Sequence, residues 1–594
     1  MTPEDRLHMR ILLRPAAWRG ALRQSEELSG AMLALVVGVC AGVGAVAFRM
    51  LLGRLGDGFT WFGMNLLPLM GERGVLILPA LGGLAAGVLV YWLARGAGGH
   101  GVPDVMEVVA LHGGRIDPQV AWARTVGSLL SIGSGGSAGI VGPIIGMGSA
   151  FGSWVGHRLN LPSDWMRTLV ACGAAGGVSA TFNTPIAGVF FGLEVILRRY
   201  SVRSLGLVVL SSVVSAIVAH ALLGDRIPFE VPQYWLSTGW EVPLYLVLGL
   251  LSAVVAIGFS TAIYAVEDLV ALTRLPVYLR PALGGLGVGV IGLFFPEVLG
   301  GGFEVMGRAL VGDMTVGILA VLLLLKLAAT AFTLGSGGIG GVFAPSLFLG
   351  AMLGGVFGHG TAGLFPGMTS PVGAYAVVGM AAVFAGAARA PITAIIIVFE
   401  MTREYELILP LMTAVIVSTI TARILRRDTI YTAKLRRRGV ILPEEEEADV
   451  LGRVPVSRVM QRDFPTVQAS ASIEALMELI SLNNQTGFPV VDADRGLVGI
   501  VTISDLERAP RESTATVGDI ATKRLTVAYP DQSVHEAMKQ LGGYEVGRLP
   551  VVSRDDPRRL VGVLRRNDIV RAYAQAVANA PNRQEELAHG VGDA

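Results

Sequence analysis

Apolar runs follow one another from Ser29 to about Leu425, and that succession fixes the environment in which this chain can fold. AMLALVVGVCAGVGAVAF, GVLILPALGGLAAGVLVYWLA and LYLVLGLLSAVVAIGFSTAIYAV approach or exceed the ~20 residues that span a bilayer as a helix. Charged residues are 16% of the chain, against about 25% in an ordinary soluble domain. The expectation is a polytopic α-helical membrane protein. The charge is unevenly placed: from Arg427 onward the last 168 residues carry 46 charged residues, while the whole chain has 47 Lys and Arg and 46 Asp and Glu. A membrane domain is therefore followed by a soluble tail. The net charge of +1 gives no bulk field to attract nucleic acid. Cys40 and Cys172 lie in apolar surroundings, which argues against a disulfide framework or a thiolate metal cluster. The first 30 residues are polar and arginine-rich for too long to read as a cleavable signal peptide.

Within the apolar region a single interruption is written twice. GSGGSAGIVGP runs from Gly133 to Pro143 and GSGGIGGVFAP from Gly335 to Pro345, an offset of 202 positions. TPIAGVFFGLE (Thr184–Glu194) likewise matches APITAIIIVFE (Ala390–Glu400), with Pro185 and Pro391 each nine residues before a glutamate, at an offset of 206. Two matches at nearly one offset predict duplicated halves, an arrangement common in transporters as inverted repeats whose broken helices meet near the midplane. A glycine-rich loop before a helix leaves backbone N–H groups unpaired at the positive end of the macrodipole. Irregular backbone at membrane depth is tolerated where it lines a cavity. Two such helix starts facing each other would make an anion site without a full charge, binding firmly enough for capture and weakly enough for release. The plainer alternative is that the glycines permit close helix crossing.

These residues resemble the CLC family of chloride channels and chloride/proton antiporters. GGHGVPDV (Gly98–Val105) resembles the family's first pore motif, GSGIPE; GIVGP (Gly139–Pro143) the second, GREGP; GGVFAP (Gly340–Pro345) the third, GxFxP. Tyr431 in DTIYTAKL stands where the family places a pore tyrosine, and FNTPIAGVFFGLE and FEMTREYELILP are further family-like stretches. The resemblance implies an anion pathway formed by the amides of Ile140, Val141 and Gly142, the amides of Val342, Phe343 and Ala344, the loop at His100 and Gly101, and the Tyr431 hydroxyl. Chloride is the implied substrate, with nitrate and bromide as further passengers, and a homodimer the implied assembly.

Three departures bear on mechanism. The family's gating glutamate falls on Val141, which can neither compete as an anion nor carry a proton. The second, proton-handling acid of the antiporters falls on Val195, beside Glu194, whose implied role is structural but which remains a transport candidate as an intramembrane acid. His100 replaces the central serine: an imaginable acid sensor, with an ordinary pKa of ~6.5, or a ring turned away from the pathway. Asp104 is expected to cap the helix after Pro103. The readings are a passive anion channel lacking the gating and proton-relay acids, an antiporter using another acid such as Glu107 or Glu194, or a sensor without transport. A cation transporter would need intramembrane acidic ligands. No nucleophile–base motif, metal cluster or Walker A loop points to an enzyme.

In the tail, VSRVMQRDFPTV, SIEALMELISLNNQTGFPVVD and LVGIVTISDL are echoed by VGDIATKRLTVAYPD, SVHEAMKQLGGYEVGRLPVVS and LVGVLRRNDI. Each set alternates helical and strand patterns, and the pair resembles tandem CBS domains. That resemblance implies adenine-nucleotide binding (ATP, ADP or AMP) with Asp505 in TISD and Asp568 in RRND on the ribose; Thr502 is retained in the first module and Arg565 stands at that place in the second. A purely structural dimerisation module is the alternative. The expected organisation is an N-terminal arm (1–27), a membrane domain in two repeated halves (28–426), a linker with the pore tyrosine (427–453), CBS modules at 454–510 and 511–580, and a tail (581–594). The arginines of the arm (Arg6, Arg10, Arg14, Arg19, Arg23) and of ILRRDTIYTAKLRRRG suggest that both ends are cytoplasmic, in a bacterial inner membrane.

Overall fold

Helices form along the apolar runs and break where proline, glycine or a left-handed residue intervenes. The structure, a computed structural model, describes residues 26–66, 76–94, 101–224, 229, 232, 234, 241–440, 454–483, 487–508, 515–523, 525–543, 548–565, 567–569 and 571–572. The chain divides into two compact units, Met1–Leu442 and Pro443–Ala594.

The first unit is helical: α1 (Glu26–Leu66), α2 (Leu78–Leu93), α3 (Val102–Leu111), α4 (Pro118–Gly133), α5 (Val141–Arg158), α6 (Ser163–Phe182), α7 (Pro185–Phe190, continued by a π-helical turn to Leu197), α8 (Val202–Leu223) and α9 (Val242–Leu272). Then come α10 (Arg280–Phe294), α11 (Phe303–Val311), α12 (Val316–Gly335), α13 (Phe343–Leu364), α14 (Val372–Ala388), α15 (Pro391–Thr402), α16 (Ile408–Leu425) and α17 (Ile430–Arg437). Among the described residues, six helical segments are long and apolar enough to cross a membrane. Their outer faces are apolar too: Ile217, Val254, Leu324 and Ile420 are all exposed, as lipid contact requires. By contrast α14 is buried from Gly373 to Ala388, at the centre of the unit. The stretch expected as a linker from 427 begins with α17, whose Ile430, Tyr431 and Leu435 belong to the membrane unit's core.

The second unit holds β1 (Val467–Gln468), α18 (Ile473–Asn483), β2 (Gly487–Val491), β3 (Leu497–Thr502), α19 (Ile503–Arg508), α20 (Val517–Ile520), α21 (Val534–Gly543), β4 (Arg548–Val552) and β5 (Leu560–Arg565). β2 pairs antiparallel with β3, and β4 with β5, in the same register: Gly487 opposes Thr502 as Arg548 opposes Arg565. Both hairpins are irregular at the same place, between Val490 and Val491 and between Val551 and Val552. The packing crosses the sequence order. Val456 lies in a core with Leu549, Val551 and Leu564, whereas Val517 lies in a core with Phe488, Val490 and Val501. Each hairpin is completed by a segment from the other module's stretch of sequence.

The duplicated halves of the membrane unit are related residue by residue. Four non-glycine residues with positive φ mark equivalent helix ends: Asn183 and Arg389 after α6 and α14, Arg198 and Arg403 after α7 and α15, with φ of 56°, 52°, 52° and 57°. α5 crosses α6 where a Cβ on Gly148 would come within 2.2 Å of the Gly173 carbonyl oxygen, and α13 crosses α14 where a Cβ on Gly350 would come within 2.3 Å of that of Gly379. At these crossings only glycine lets the backbones meet. The two glutamates of the second repeated motif close the symmetry. Glu194 accepts from the N–H groups of Ile392 (3.2 Å) and Thr393 (2.9 Å) and from the Thr393 hydroxyl (2.7 Å), so it caps α15. Glu400, on α15, accepts from Ile186 (3.0 Å) and Ala187 (2.7 Å) and caps α7 in return. Each helix begins with a proline, which leaves the following N–H groups for the partner's carboxylate. Glu194→Ala and Glu400→Ala are expected to destabilise the protein to a similar extent, by about 2 kcal/mol each, read from thermal unfolding of the purified protein in detergent; a much larger effect of one than the other would show that the caps are not equivalent.

Candidate anion site

The two glycine-rich loops meet. Gly139 N–H donates to the Gly341 carbonyl at 2.8 Å and Gly341 N–H donates to the Gly139 carbonyl at 2.7 Å, a two-residue antiparallel bridge between positions related by the repeat. The contact requires glycine: a Cβ on Gly341 would lie 2.8 Å from the Gly142 nitrogen, and one on Gly142 would lie 3.0 Å from Gly341 Cα. The first loop is tied to α12 as well, through Ser137, whose N–H donates to Thr333 Oγ1 at 3.0 Å and whose hydroxyl lies 3.1 Å from that of Thr330.

This bridge brings the starts of α5 and α13 together, and neither start has a side-chain cap. α3 begins beside them, also uncapped, after Gly101 at a φ of 65°, with a would-be Cβ 2.9 Å from the Gly142 carbonyl oxygen. Three helix N-termini thus converge with first-turn N–H groups that no side chain satisfies, a positive environment without a formal charge. α17 begins at the same place but is closed: Thr429 Oγ1 accepts from Tyr431 N (3.2 Å) and Thr432 N (3.0 Å), and Thr432 Oγ1 accepts from Thr429 N (2.9 Å).

Between these elements lies a cavity of about 40 Å³, room for one small ion or a water or two. Gly142, Val342, Phe343 and Tyr431 line it. Tyr431 is 2% exposed, and its hydroxyl has no hydrogen-bond partner among the described residues. A buried phenol normally finds a partner; here the donor is left for an occupant of the cavity. The neighbouring tyrosine, Tyr264, is satisfied, donating to the Ile430 carbonyl at 2.7 Å. Phe343 is 1% exposed and held by rings of Phe384 (4.3 Å between centroids), Phe182 (5.3 Å) and Phe191 (6.4 Å), so its position is fixed by packing on three other helices.

The remaining expected residues fall as follows. Ile140, Val141 and Ala344 are buried in the two helix starts but do not line the cavity. Val141 is fully buried, and Val195 is 4% exposed in the π-helical turn after α7. Gly101 adjoins the lining residue Val102, and His100 lies outside the described residues. Asp104 does not cap α3 with its side chain: its carboxylate accepts from Arg124 (2.8 Å) and Arg438 (2.7 Å), because two guanidinium donors outcompete its own helix N–H groups. Glu107 lies 3.7 Å from Arg438. The sequence reading missed Lys434, which lines the cavity one turn beyond Tyr431 and pairs with Glu267 at 2.5 Å. Its signal was the three-residue spacing from Tyr431 on a helix, which puts both on one face.

In the second unit the two expected ribose acids differ. One carboxylate oxygen of Asp505 accepts from Thr502 N–H (2.9 Å) and its hydroxyl (2.7 Å), leaving the other oxygen unused among the described residues. Both oxygens of Asp568 are taken by Arg565, from Nε (2.9 Å) and Nη2 (3.0 Å), and that pairing holds the Arg565 guanidinium above its usual pKa.

Residues 82–423 match the family described as voltage gated chloride channel, and residues 456–512 and 517–575 each match the CBS domain. The chain is 33% identical over 457 residues to the H(+)/Cl(−) exchange transporter ClcA of Yersinia pseudotuberculosis, covering 73% of this chain and 92% of that protein. It is 30% identical over 644 residues to chloride channel protein CLC-e of Arabidopsis thaliana, covering 92% and 87%. The structure of a slow cyanobacterial Cl−/H+ antiporter superposes with a TM-score of 0.63 at 25% identity, covering 69% of this chain and 97% of that one.

Proposed function

The chain belongs to the voltage gated chloride channel (CLC) family, with a tandem CBS pair following its membrane unit in the sequence, and on that premise we propose that it passes chloride passively, as a channel without proton exchange. One observation carries the reading: the start of α5, beside the anion cavity, holds a fully buried valine where the family resemblance expects an acid. Valine at 141 cannot enter the cavity as a tethered anion, and valine at 195 cannot pass a proton to it. In the proposed pathway the N–H groups at the starts of α5, α13 and α3 and the Tyr431 hydroxyl replace some of the ion's hydration shell, as selective pores require. Binding by dipoles rather than by a full charge keeps release fast. The protein is proposed to work as a homodimer in a bacterial inner membrane, with both termini cytoplasmic.

Proton-coupled exchange is the second reading, favoured by the Yersinia relative being named an H(+)/Cl(−) exchange transporter. It needs a titratable group that alternates between pathways. Glu194 is committed to capping α15, and Glu107 is paired with Arg438, so neither is poised to alternate.

The CBS pair is proposed to bind one adenine nucleotide, through the first module. Asp505 keeps a free carboxylate oxygen for a ribose hydroxyl, whereas Arg565 occupies the equivalent acid in the second module.

Paired ion measurements on liposomes, under a chloride gradient with valinomycin, test the channel directly. Chloride efflux without proton uptake is expected; proton uptake in fixed ratio to chloride would replace the channel with an exchanger. Val141→Glu is expected to suppress chloride flux at neutral pH and to release it as pH falls toward the ordinary glutamate pKa of ~4.3, because the ionised carboxylate competes with chloride and the protonated one does not; a pH-independent flux would place residue 141 off the pathway. For the tail, Asp505→Ala is expected to abolish ATP, ADP and AMP binding by calorimetry and Asp568→Ala to leave the stoichiometry unchanged; no binding by the native full chain would remove the nucleotide role.

A further inference from the structure

Lys434 is the one charged residue among those lining the anion cavity, counted over the described residues. It stands on α17 one turn beyond Tyr431, on the side where the helix becomes exposed at Arg436 and Arg437. Its side chain is 13% exposed, and its ammonium meets Glu267 Oε1, on α9, at 2.5 Å. Glu267 has a second cation nearby, Arg437, whose Nε lies 3.9 Å from Oε2, but Arg437 also bonds to Asp268 and stacks over Tyr264. The pair is asymmetric with respect to the cavity: the cation lines it and the carboxylate does not.

We propose that Lys434 is the anion-attracting residue at the mouth of the cavity and that Glu267 sets how much of its charge an arriving anion meets, a role that deepens the chloride-conduction reading and rests on it. An ammonium alone in this apolar setting would hold an anion too tightly to let it pass. A carboxylate behind it reduces the charge to a dipole with its positive end toward the cavity. That leaves enough field to concentrate anions at the mouth and too little to trap them. The backbone N–H groups and the Tyr431 hydroxyl then take over the ion one helical turn further in.

The two members of the pair therefore predict opposite effects. The chloride concentration giving half-maximal thermal stabilisation of the purified full-length protein is measured with sodium chloride replaced by sodium gluconate at fixed ionic strength. Lys434→Gln is expected to raise that concentration roughly tenfold, Lys434→Arg to restore it, and Glu267→Gln to lower it by roughly threefold to tenfold. In liposomes, Lys434→Gln should cut chloride flux most at low ionic strength, with the difference shrinking as salt screens the charge. If the pair only holds α17 against α9, both neutral variants lower the melting temperature and leave the chloride midpoint alone; that result overturns the proposal, as would a native protein that chloride does not stabilise. Should Lys434→Gln fail to fold, the direction of the Glu267→Gln shift decides. Native protein that binds chloride with these opposite shifts yet carries no flux sinks conduction and keeps the assignment of Lys434.

Discussion

The membrane unit depends on two hydrogen bonds between Gly139 and Gly341. They are ordinary backbone bonds, each contributing on the order of 1 kcal/mol. Their importance is geometric. They join two loops that would otherwise carry unsatisfied backbone at membrane depth, and they do so symmetrically, so that α5 and α13 start from one point. A side chain at Gly142 or Gly341 would force the loops apart. Removing the bridge would leave two helix N-termini with no shared space in front of them, and the cavity would lose its ceiling of N–H donors.

Around this junction the fold separates what it satisfies from what it leaves open. The Glu194 and Glu400 carboxylates close the starts of α15 and α7, and Thr429 closes α17. Lys326, fully buried in α12, donates to the carbonyls of Val298 (2.8 Å) and Gly300 (2.7 Å) and lies 5.0 Å from the centre of the Phe348 ring. These groups show polar side chains closing particular helix starts and carbonyls inside the membrane unit. Helix starts without a side-chain cap also occur elsewhere in the unit, at α6, α12 and α14 for example, and the Ser252 and Ser260 hydroxyls share with Tyr431 the lack of a partner among the described residues. What sets the starts of α3, α5 and α13 and the Tyr431 hydroxyl apart is that they meet around one small cavity.

Much of this was legible in the chain because repetition is legible. The 202-residue offset of the glycine-rich loops and the 206-residue offset of the proline–glutamate motifs identified the two halves, and the Gly139–Gly341 bridge joins positions one offset apart. A third match went unread: PALGGL at 79–84 recurs at 281–286, and the two stretches pack reciprocally, a Cβ on Gly83 meeting the Pro281 carbonyl oxygen at 2.5 Å and one on Gly285 meeting that of Pro79 at 2.3 Å. The glutamates were visible but not their purpose, since a reciprocal cap across 198 to 214 positions has no local signature. The same holds for Lys434 and Glu267, 167 positions apart, and for Asp104, whose local role as a cap lost to two arginines brought in by tertiary structure. In the tail, the repeated strand patterns gave the hairpins, but the crossing of Val456 and Val517 into each other's modules follows from packing and leaves no mark in periodicity.

The symmetry of the scaffold and the asymmetry of the site belong together. The halves contribute matching loops and helix starts, yet residue 141 is a buried aliphatic side chain that does not line the cavity, while its repeat counterpart, Phe343, does. Tyr431 and Lys434 enter from α17, a helix that follows the second half. The duplicated halves thus supply the uncapped helix starts around the cavity, and the added helix supplies its one charged lining residue among those described and a hydroxyl without a partner among the described residues. A scaffold of that kind is indifferent to whether protons accompany the anion. On the proposed channel reading, coupling would require a carboxylate that stands in the cavity in one protonation state and leaves it in the other; an aliphatic residue at the start of α5 supplies none, and it disturbs no hydrogen bond of the bridge, because both bonds are made by backbone atoms at Gly139 and Gly341.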